Sequence, residues 1–314
     1  MLIKLHPTGP WRIGPDSGDR DRVDRVYHSD TLFSAVSAAM LRLGKLEEWL
    51  DATARAPEPA VRFSSCFPFH GDTLYVVPPR SLWPPPPSAK VRWKGAKFVP
   101  LKVVDDLVNG RAVSEDTWSV DGPSECLIAQ GTQGPYRVSV RSSAAVDRNG
   151  AAVAPHSSAC LEFAPSAGLW MQVAVSEDRW KEPVLGAIRL LADSGFGGER
   201  SRGWGHAEIS ILDDLPLVTP AEGETAWWML SLFQPGPADS IDWQRGNYAL
   251  TTRGGRVDRS GDLKKPTRMV SEGSVIVASS QPHGAATDVA PENFAHPVYR
   301  AGFALAVPIP WRQS

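Results

Sequence analysis

The segment GFGGERSRGWG, residues 195–205, holds five glycines and two arginines within eleven positions. Glycine costs roughly 0.5–1 kcal/mol inside a regular element, so this segment predicts a loop with unusual backbone angles or close approaches. A helix is predicted over 184–194 and an alternating strand over 206–212, so the chain runs from helix through glycines into strand. Phosphate loops of nucleotide cofactors run from strand into a helix N-terminus, and their GK[ST] and GxGxxG signatures are absent here. We therefore predict no cofactor.

The clearest helix of the N-terminal part is predicted to begin at Ser29, Asp30 or Thr31 and to end before Gly44. Its apolar residues recur at helical spacing and predict a core-facing stripe. That stripe comprises Leu32, Val36, Ala39, Met40 and Leu43.

Short extended runs surround this helix. Residues 2–7 alternate as a strand, and 62–69 and 72–79 predict a hairpin, so the chain begins β, α, β, β. Residues 226–233 predict a buried strand, and 298–309 predict a final strand. The three cysteines contain no CxxC pair, which favours buried thiols over a disulfide framework.

A further strand is predicted over 136–142, where apolar and polar residues alternate strictly. Tyr136, Val138 and Val140 share the apolar face, and Arg137, Ser139 and Arg141 share the basic one. The small, polar segment 144–158 that follows predicts a flexible, projecting hairpin.

Charge is distributed unevenly along the chain. The 314 residues carry a net charge of −2, yet residues 245–268 contain seven Lys or Arg against two Asp, a local charge of +5. Two interpretations are equally supported, a solvated loop and a site that contacts a ligand with its backbone and basic side chains. The candidate ligand contacts are Arg253, Arg256, Lys264 and Lys265.

No global basic field, signal-like segment or apolar run of membrane-spanning length is present, so we expect a cytoplasmic protein without a membrane partner. The seven histidines are scattered, without metal-binding spacing, and we predict no metal site. His28, with the arginines of 195–205, is the one set that suggests a metal-independent nuclease.

Four stretches resemble the RAMP proteins of type III CRISPR effectors, and within that superfamily the family of Csm-complex subunit four. They are HSDTLFSAV (28–36), GFGGERSRGWG (195–205), EGSVI (272–276) and HPVYRAGFALAVPI (296–309). The resemblance covers nearly the whole chain and is weakest over about 81–135.

The resemblance implies an α+β fold of two tandem ferredoxin-like (RRM-like) βαββαβ domains, with a glycine-rich loop and a projecting β-hairpin thumb. The N-terminal domain would span 1–180, with an insert at about 81–135 and the thumb at about 142–160. The C-terminal part, 181–314, would carry the glycine-rich loop and the second domain.

The resemblance also implies a function in antiviral defence. The chain would be a noncatalytic, RNA-binding subunit of a type III-A Csm ribonucleoprotein that caps the 5′ handle of the crRNA. Its protein partners would be the large polymerase-like subunit and the backbone RAMP subunit. The alternative is an endoribonuclease that processes CRISPR repeat RNA.

Carried onto this sequence, the resemblance gives a set of candidate RNA contacts. Arg200 and Arg202 would bind phosphate, and Ser201 a phosphate or 2′-OH. Trp204 leaves two alternatives, stacking on a base or packing against the sheet, and Glu199 leaves three, pairing with Arg202, reading a base edge or facing protein. The remaining candidates are Gly197, Gly198 and Gly203 for close backbone approach, His28 and Ser29 at the helix start, and Arg141 before the thumb. An N-cap role for Ser29 is equally supported.

Overall fold

The computed structural model describes residues 1–15, 18–146, 153–212, 217–218, 224–257 and 260–311. Four helices stand among many strands: α1 Ser29–Arg42, α2 Leu46–Ala52, α3 Leu101–Val108 and α4 Lys181–Ser194. The strands of the N-terminal part are β1 Leu2–Pro7, β2 Val61–Phe63, β3 Phe67–His70, β4 Thr73–Val76, β5 Val99–Pro100, β6 Trp118–Asp121, β7 Cys126–Ala129, β8 Tyr136–Val146, β9 Val153–Phe163, β10 Ala167–Val175 and β11 Ala207–Leu212. Those of the C-terminal part are β12 Thr225–Met229, β13 Ile241–Asn247, β14 Leu250–Arg253, β15 Thr267–Val270, β16 Val275–Ala278, β17 Ala286–Asp288, β18 Tyr299–Ala301 and β19 Ala306–Pro310.

The first sheet has the strand order β11-β1-β10-β3-β4-β5, with β2 paired to the end of β10. β1 lies between β10 and β11 and is antiparallel to both, so that Leu2 faces Gln172 on one side and Leu212 on the other. The predicted hairpin is confirmed, since β3 and β4 pair through Phe69 and Leu74.

Helix α1 confirms most of the predicted apolar stripe, because Leu32, Val36 and Met40 are completely buried. The prediction of burial is wrong for Leu43, which is 43% exposed. It follows the last helical residue, and the chain turns away at Gly44, whose φ is +69°.

Helix α4 begins at Lys181, three residues earlier than its sequence pattern indicates. Pro183 lies in its first turn, where the missing N–H of proline costs no intrahelical hydrogen bond. The buried side of α4 includes Val184, Ile188 and Leu191, and the helix packs against α1 and β11.

The second sheet has the order β13-β16-β12-β19. The described residues after Arg202 form strands and loops but no α-helix, so the helices of a second βαββαβ unit are not among them. The prediction of one continuous final strand over 298–309 is wrong. This stretch forms two strands, β18 and β19, separated by a buried irregular segment.

The hydrophobic core joins the two parts of the chain. Trp228 of β12 is completely buried, and its indole N–H donates to the carbonyl oxygen of Val77 at 3.1 Å. The backbone N–H of Ser65 donates to the carbonyl oxygen of Leu230 at 2.8 Å. The three cysteines are buried free thiols, as predicted.

Strands β8 and β9 form the thumb hairpin, paired from Tyr136↔Phe163 to Val146↔Val153. Residues 147–152, between the two strands in the sequence, lie outside the described residues. The prediction that this side of β8 is apolar and packed holds only for Tyr136. Val138 and Val140 are 37% and 57% exposed. This face is directed to solvent.

Within the described residues, no helix is long and apolar enough to span a bilayer.

Candidate nucleic-acid interface

The glycine loop, residues 195–205, connects α4 to β11, and several of its glycines are required by contacts within the protein. Gly195, Gly197 and Gly205 all have positive φ. An added Cβ would lie 2.5 Å from the carbonyl oxygen of Trp204, 2.3 Å from that of Arg12 and 2.0 Å from that of Phe196, respectively. The expectation that Gly197 approaches RNA is therefore corrected, because its open side is occupied by the backbone of residue 12.

Gly198 packs in the same way, since its N–H donates to the carbonyl oxygen of Arg12 at 2.9 Å. The exposed tip of the loop lies further on, in a 3-10 turn Arg200–Arg202 followed by Gly203. Gly203 has φ +76° and open space at its Cβ position. The tip therefore brings together two arginines, the hydroxyl of Ser201 and a backbone accessible at Gly203.

The two arginines of the tip have different surroundings. Arg200 is exposed and its side chain makes no hydrogen bond or ion pair with any of the described residues. Arg202 bonds Glu199 through Nε at 3.1 Å, Ser143 Oγ through Nη1 at 3.2 Å and His156 Nε2 through Nη2 at 2.7 Å. Of the alternatives for Glu199, pairing with Arg202 is observed.

Trp204 is only 7% exposed and packs within the protein. Of its two predicted roles, packing is therefore observed rather than an exposed ring available for stacking on a base. The guanidinium of Arg141 lies over its ring, 5.8 Å from the centroid. Arg141 also donates to Glu162 through Nε at 3.2 Å and Nη2 at 2.8 Å. Hydrogen bonds from Arg141, Ser139 and Arg137 lower the pKa of Glu162 to about 2.

His28 immediately precedes α1, but its imidazole is held by two carboxylates. Its Nδ1 lies 2.6 Å from Glu272 Oε1 and its Nε2 lies 3.1 Å from Asp24 Oδ2. Burial by itself lowers the pKa of His28, but the charge of Glu272 and the hydrogen bonds to both carboxylates outweigh burial and raise it to about 9. His28 is therefore a cation at neutral pH.

Both roles predicted for Ser29, an RNA contact and the N-cap of α1, are wrong. It is 6% exposed, and its Oγ accepts a hydrogen bond from the backbone N–H of Leu232 at 3.0 Å. Its own N–H donates to Ser65 Oγ at 2.9 Å. No side-chain hydrogen bond caps α1, so Ser29 instead joins the helix to the C-terminal part.

The prediction that Arg253 contacts a ligand is also wrong, because its guanidinium forms a buried ion pair with Asp30. Its Nε and Nη2 each lie 3.1 Å from a carboxylate oxygen of Asp30, and Arg300 Nη1 lies 2.9 Å from the same carboxylate. Burial raises the pKa of Asp30, but the charge and hydrogen bonds of Arg253 outweigh it and hold that pKa below its usual range. Sequence reasoning missed the ion pair of Asp30 and the role of Arg300; for Arg300 the signal was a charged residue inside an apolar run.

A cleft of about 270 Å³ opens above this ion pair. We call it the cationic cleft; its lining residues include Arg256, Lys264, Gly254, Gly255, Gly14 and Pro15. Arg256 is exposed and Lys264 half-buried, whereas Lys265 is exposed but does not line the cleft. Two of the predicted basic residues, Arg256 and Lys264, therefore lie together.

The segment 12–15 connects the cationic cleft to the glycine loop. Its first residue contacts Gly197 and Gly198, and its last two line the cleft. Since an extended chain rises about 3.3 Å per residue, the two basic areas begin within about 10 Å of each other. Among the residues that the structure describes, no group of three or more His, Cys, Asp or Glu side chains could hold a metal ion.

Comparisons with known proteins agree with this architecture. Residues 222–309 match the family model described as the CRISPR Csm4 C-terminal domain. A chain of the crystal structure of a Csm1–Csm4 cassette in complex with cA4 is similar over 100% of this chain and 98% of that one, with 19% identity and a TM-score of 0.63. A chain of the Csm3–Csm4 subcomplex of the type III-A CRISPR-Cas interference complex is similar over 99% of both chains, with 15% identity and a TM-score of 0.66. No curated protein matches the sequence.

The fold is mixed α+β, rich in sheet and poor in helix, and it matches these solved chains over nearly their whole length. Residues 222–309 are thus similar to the Csm4 C-terminal domain, and the whole chain shares the fold of these two solved chains.

Proposed function

We propose that the chain is a noncatalytic RNA-binding subunit of a type III-A CRISPR (Csm) complex that caps and anchors the 5′ handle of the crRNA. The observation that carries this proposal is the pair of basic areas joined by segment 12–15. Arg200 extends from the glycine loop, and Arg256 and Lys264 border the cationic cleft. Single-stranded RNA is gripped by basic side chains and accessible backbone N–H groups along such a path.

The protein partners follow from the similar structures. One is a Csm1–Csm4 cassette and the other a Csm3–Csm4 subcomplex. The nearly complete coverage of both chains supports equivalent partners here, so that this chain bridges a large polymerase-like subunit to a backbone RAMP subunit.

The N-terminal sheet supports a ferredoxin-like unit. Its four adjacent strands β11-β1-β10-β3 correspond to the order 4-1-3-2 of a βαββαβ unit, and α1 and α4 occupy the two helical positions in chain order. In this proposal the glycine loop lies between the second helix and the fourth strand.

The proposal of a noncatalytic role is supported by the surroundings of His28. A general base must be unprotonated at the working pH, whereas a His28 pKa of about 9 leaves the imidazole protonated. Incubation of the chain with CRISPR repeat RNA is expected to give no specific product. Cleavage by the wild type that disappears in His28→Ala would establish the endoribonuclease alternative.

Binding to RNA that carries the 5′ handle tests the RNA proposal. We expect Arg200→Ala, and separately Arg256→Ala with Lys264→Ala, to weaken binding, and each lost phosphate contact to reduce the log–log salt slope by about 1. The matched control is Arg189→Ala, which removes one positive charge from the solvent side of α4. Equal affinity for all variants would exclude these areas as the RNA grip.

Bridging is tested by copurification of the two partner subunits. We expect the large and backbone subunits to form a complex containing both only when this chain is present. A large and backbone pair of undiminished yield in its absence would contradict the bridging role.

A further inference from the structure

Three arginines that contact or border the thumb hairpin donate hydrogen bonds to the protein; Arg12 is buried, whereas the side chains of Arg141 and Arg202 are 49% and 36% exposed. We propose that Arg202 is a positioning residue that clamps the thumb hairpin to the glycine loop, and that it does not itself bind RNA phosphate. The consequence for RNA rests on the proposed function, but the clamp itself is a property of the protein alone.

The first argument is the geometry of the Arg202 guanidinium. Its Nη1 and Nη2 reach Ser143 and His156, which are cross-strand partners on β8 and β9. A guanidinium can only donate, so His156 Nε2 is the acceptor in this 2.7 Å contact. Its Nε is held by Glu199, so one planar group joins both strands of the hairpin to the glycine loop.

A second contact joins the same two elements one step along β8. Arg141 lies two residues before Ser143 and therefore on the same face of the strand. Its guanidinium covers the ring of Trp204 in the glycine loop while Glu162 of β9 holds its Nε and Nη2. The polar face of the hairpin is thus attached to the loop at two successive positions.

A third contact lies nearer the base of the hairpin. Arg12 is 8% exposed, and its guanidinium donates to the carbonyl oxygen of Ala159 in β9 at 3.0 Å. The same group donates to the carbonyl oxygens of Asp19, Arg20 and Arg22 at 2.8–3.2 Å. The backbone of Arg12 in turn receives the N–H of Gly198. The base of the hairpin and the glycine loop are therefore both attached to Arg12.

The opposite face of β8 gives no comparable support, since Val138 and Val140 are exposed. A two-stranded hairpin is only marginally stable by itself. Its base is held by backbone hydrogen bonds of Leu161 with Trp11 and of Ala159 with Arg20, so its direction beyond these residues depends on the contacts of its polar face. Removing Arg202 should therefore loosen the hairpin, whereas removing Arg200 should not.

Hydrogen exchange of the full chain, without RNA, tests the clamp directly. For Arg202→Ala we expect amides of β8 and β9 beyond Arg141 to exchange about tenfold faster, the effect of losing charge-assisted hydrogen bonds. Arg200→Ala should leave them unchanged. Unchanged hairpin exchange in Arg202→Ala would overturn the proposal.

Two further comparisons separate the clamp from a charge effect. Arg202→Lys keeps the charge but lacks the planar fork, so it should exchange like Arg202→Ala. His156→Gln retains an acceptor and should remain close to wild type, whereas His156→Ala should behave like Arg202→Ala. Wild-type exchange in Arg202→Lys, or equal behaviour of the two His156 variants, would contradict the clamp.

RNA carrying the 5′ handle then supplies the functional measurement. We expect Arg202→Ala to weaken binding with an unchanged salt slope, and Arg202→Lys to weaken it equally. Restoration of affinity by lysine, or a slope reduced by about 1 as for Arg200→Ala, would show that Arg202 binds phosphate. If neither Arg200→Ala nor Arg256→Ala with Lys264→Ala alters affinity, the proposed RNA grip fails while the exchange results still decide the clamp.

Discussion

Asp30 accepts hydrogen bonds from two guanidinium groups in the interior, between the start of α1 and the C-terminal part. Each of these three side chains is less than a tenth exposed. A buried pair contributes little relative to an apolar replacement, but removal of one partner leaves uncompensated charge. Because an unpaired charge here would be costly, the start of α1 and the C-terminal part must pack together correctly for the ion pair to form.

We predict that Asp30→Ala lowers the free energy of unfolding by about 3–5 kcal/mol. The matched control is Asp51→Ala, because Asp51 pairs with Arg55 at the surface and should cost at most about 1 kcal/mol. Urea unfolding of both variants measures the difference. Equal losses would contradict a buried, uncompensated pair of guanidinium groups.

A second prediction concerns pH. The folded pKa of His28 is about 9, above the value of about 6.5 for an unfolded histidine. Its contribution to stability is fully present below pH 6.5 and is lost as pH rises through 9. Between these pH values the wild type should lose more unfolding free energy than His28→Gln. Parallel pH profiles, or an imidazole titrating near 6.5 by NMR, would contradict the assignment.

At the scale of single residues, the sequence identified basic candidates but not their partners. Arg200, Arg256 and Lys264 remain candidate RNA contacts because they border solvent. Ser29 and Arg253 could not be distinguished from them, since their partners Leu232 and Asp30 lie more than 200 residues away in the chain. Contacts of such separation leave no local pattern.

Among the elements, the glycine loop shows how one composition serves two purposes. Gly195, Gly197 and Gly205 pack against carbonyl oxygens of the protein, while Gly203 faces open space. The order helix, loop, strand was predictable from periodicity. Which glycine contacts which backbone was not, because Gly197 contacts residue 12, far away in sequence, and the contacts of Gly195 and Gly205 form only when the loop folds back on itself.

Two alanine substitutions in this loop test the distinction. Gly203→Ala should cost about 1 kcal/mol, the price of a positive φ with a side chain. Gly205→Ala should cost a further ~1–3 kcal/mol, because its Cβ would overlap the carbonyl oxygen of Phe196. Thermal unfolding followed by circular dichroism compares them. A more stable Gly205→Ala than Gly203→Ala would be inconsistent with the close approach.

For the whole molecule, the core determines how far the two parts can be separated. Trp228, Leu230 and Phe303 belong to the same core cluster as residues of β1 and α1. The C-terminal family match begins at residue 222, but the packing does not stop there. The α+β class was predictable from element order, whereas a second helix-bearing domain, expected by resemblance, was not found in the described residues.

We predict that a polypeptide of residues 222–314 does not unfold cooperatively, because it would expose the side of its sheet that packs on the N-terminal part. The full chain should show one transition in calorimetry. A sharp transition for the polypeptide, with unchanged near-UV circular dichroism, would show that the C-terminal part is autonomous.

The position of β1 between β11 and β10 in the first sheet has a consequence for biosynthesis. Its partners include β11, so Leu2 must wait for Leu212 to leave the ribosome. At 5–20 residues per second the delay is roughly 10–40 s. Until β10 has been made, a strand with completely buried Ile3 and Leu5 has both edges open, and the edge that pairs with β11 stays open for the whole interval. The nascent chain should therefore depend on chaperones early in translation, before any RNA or partner subunit can bind.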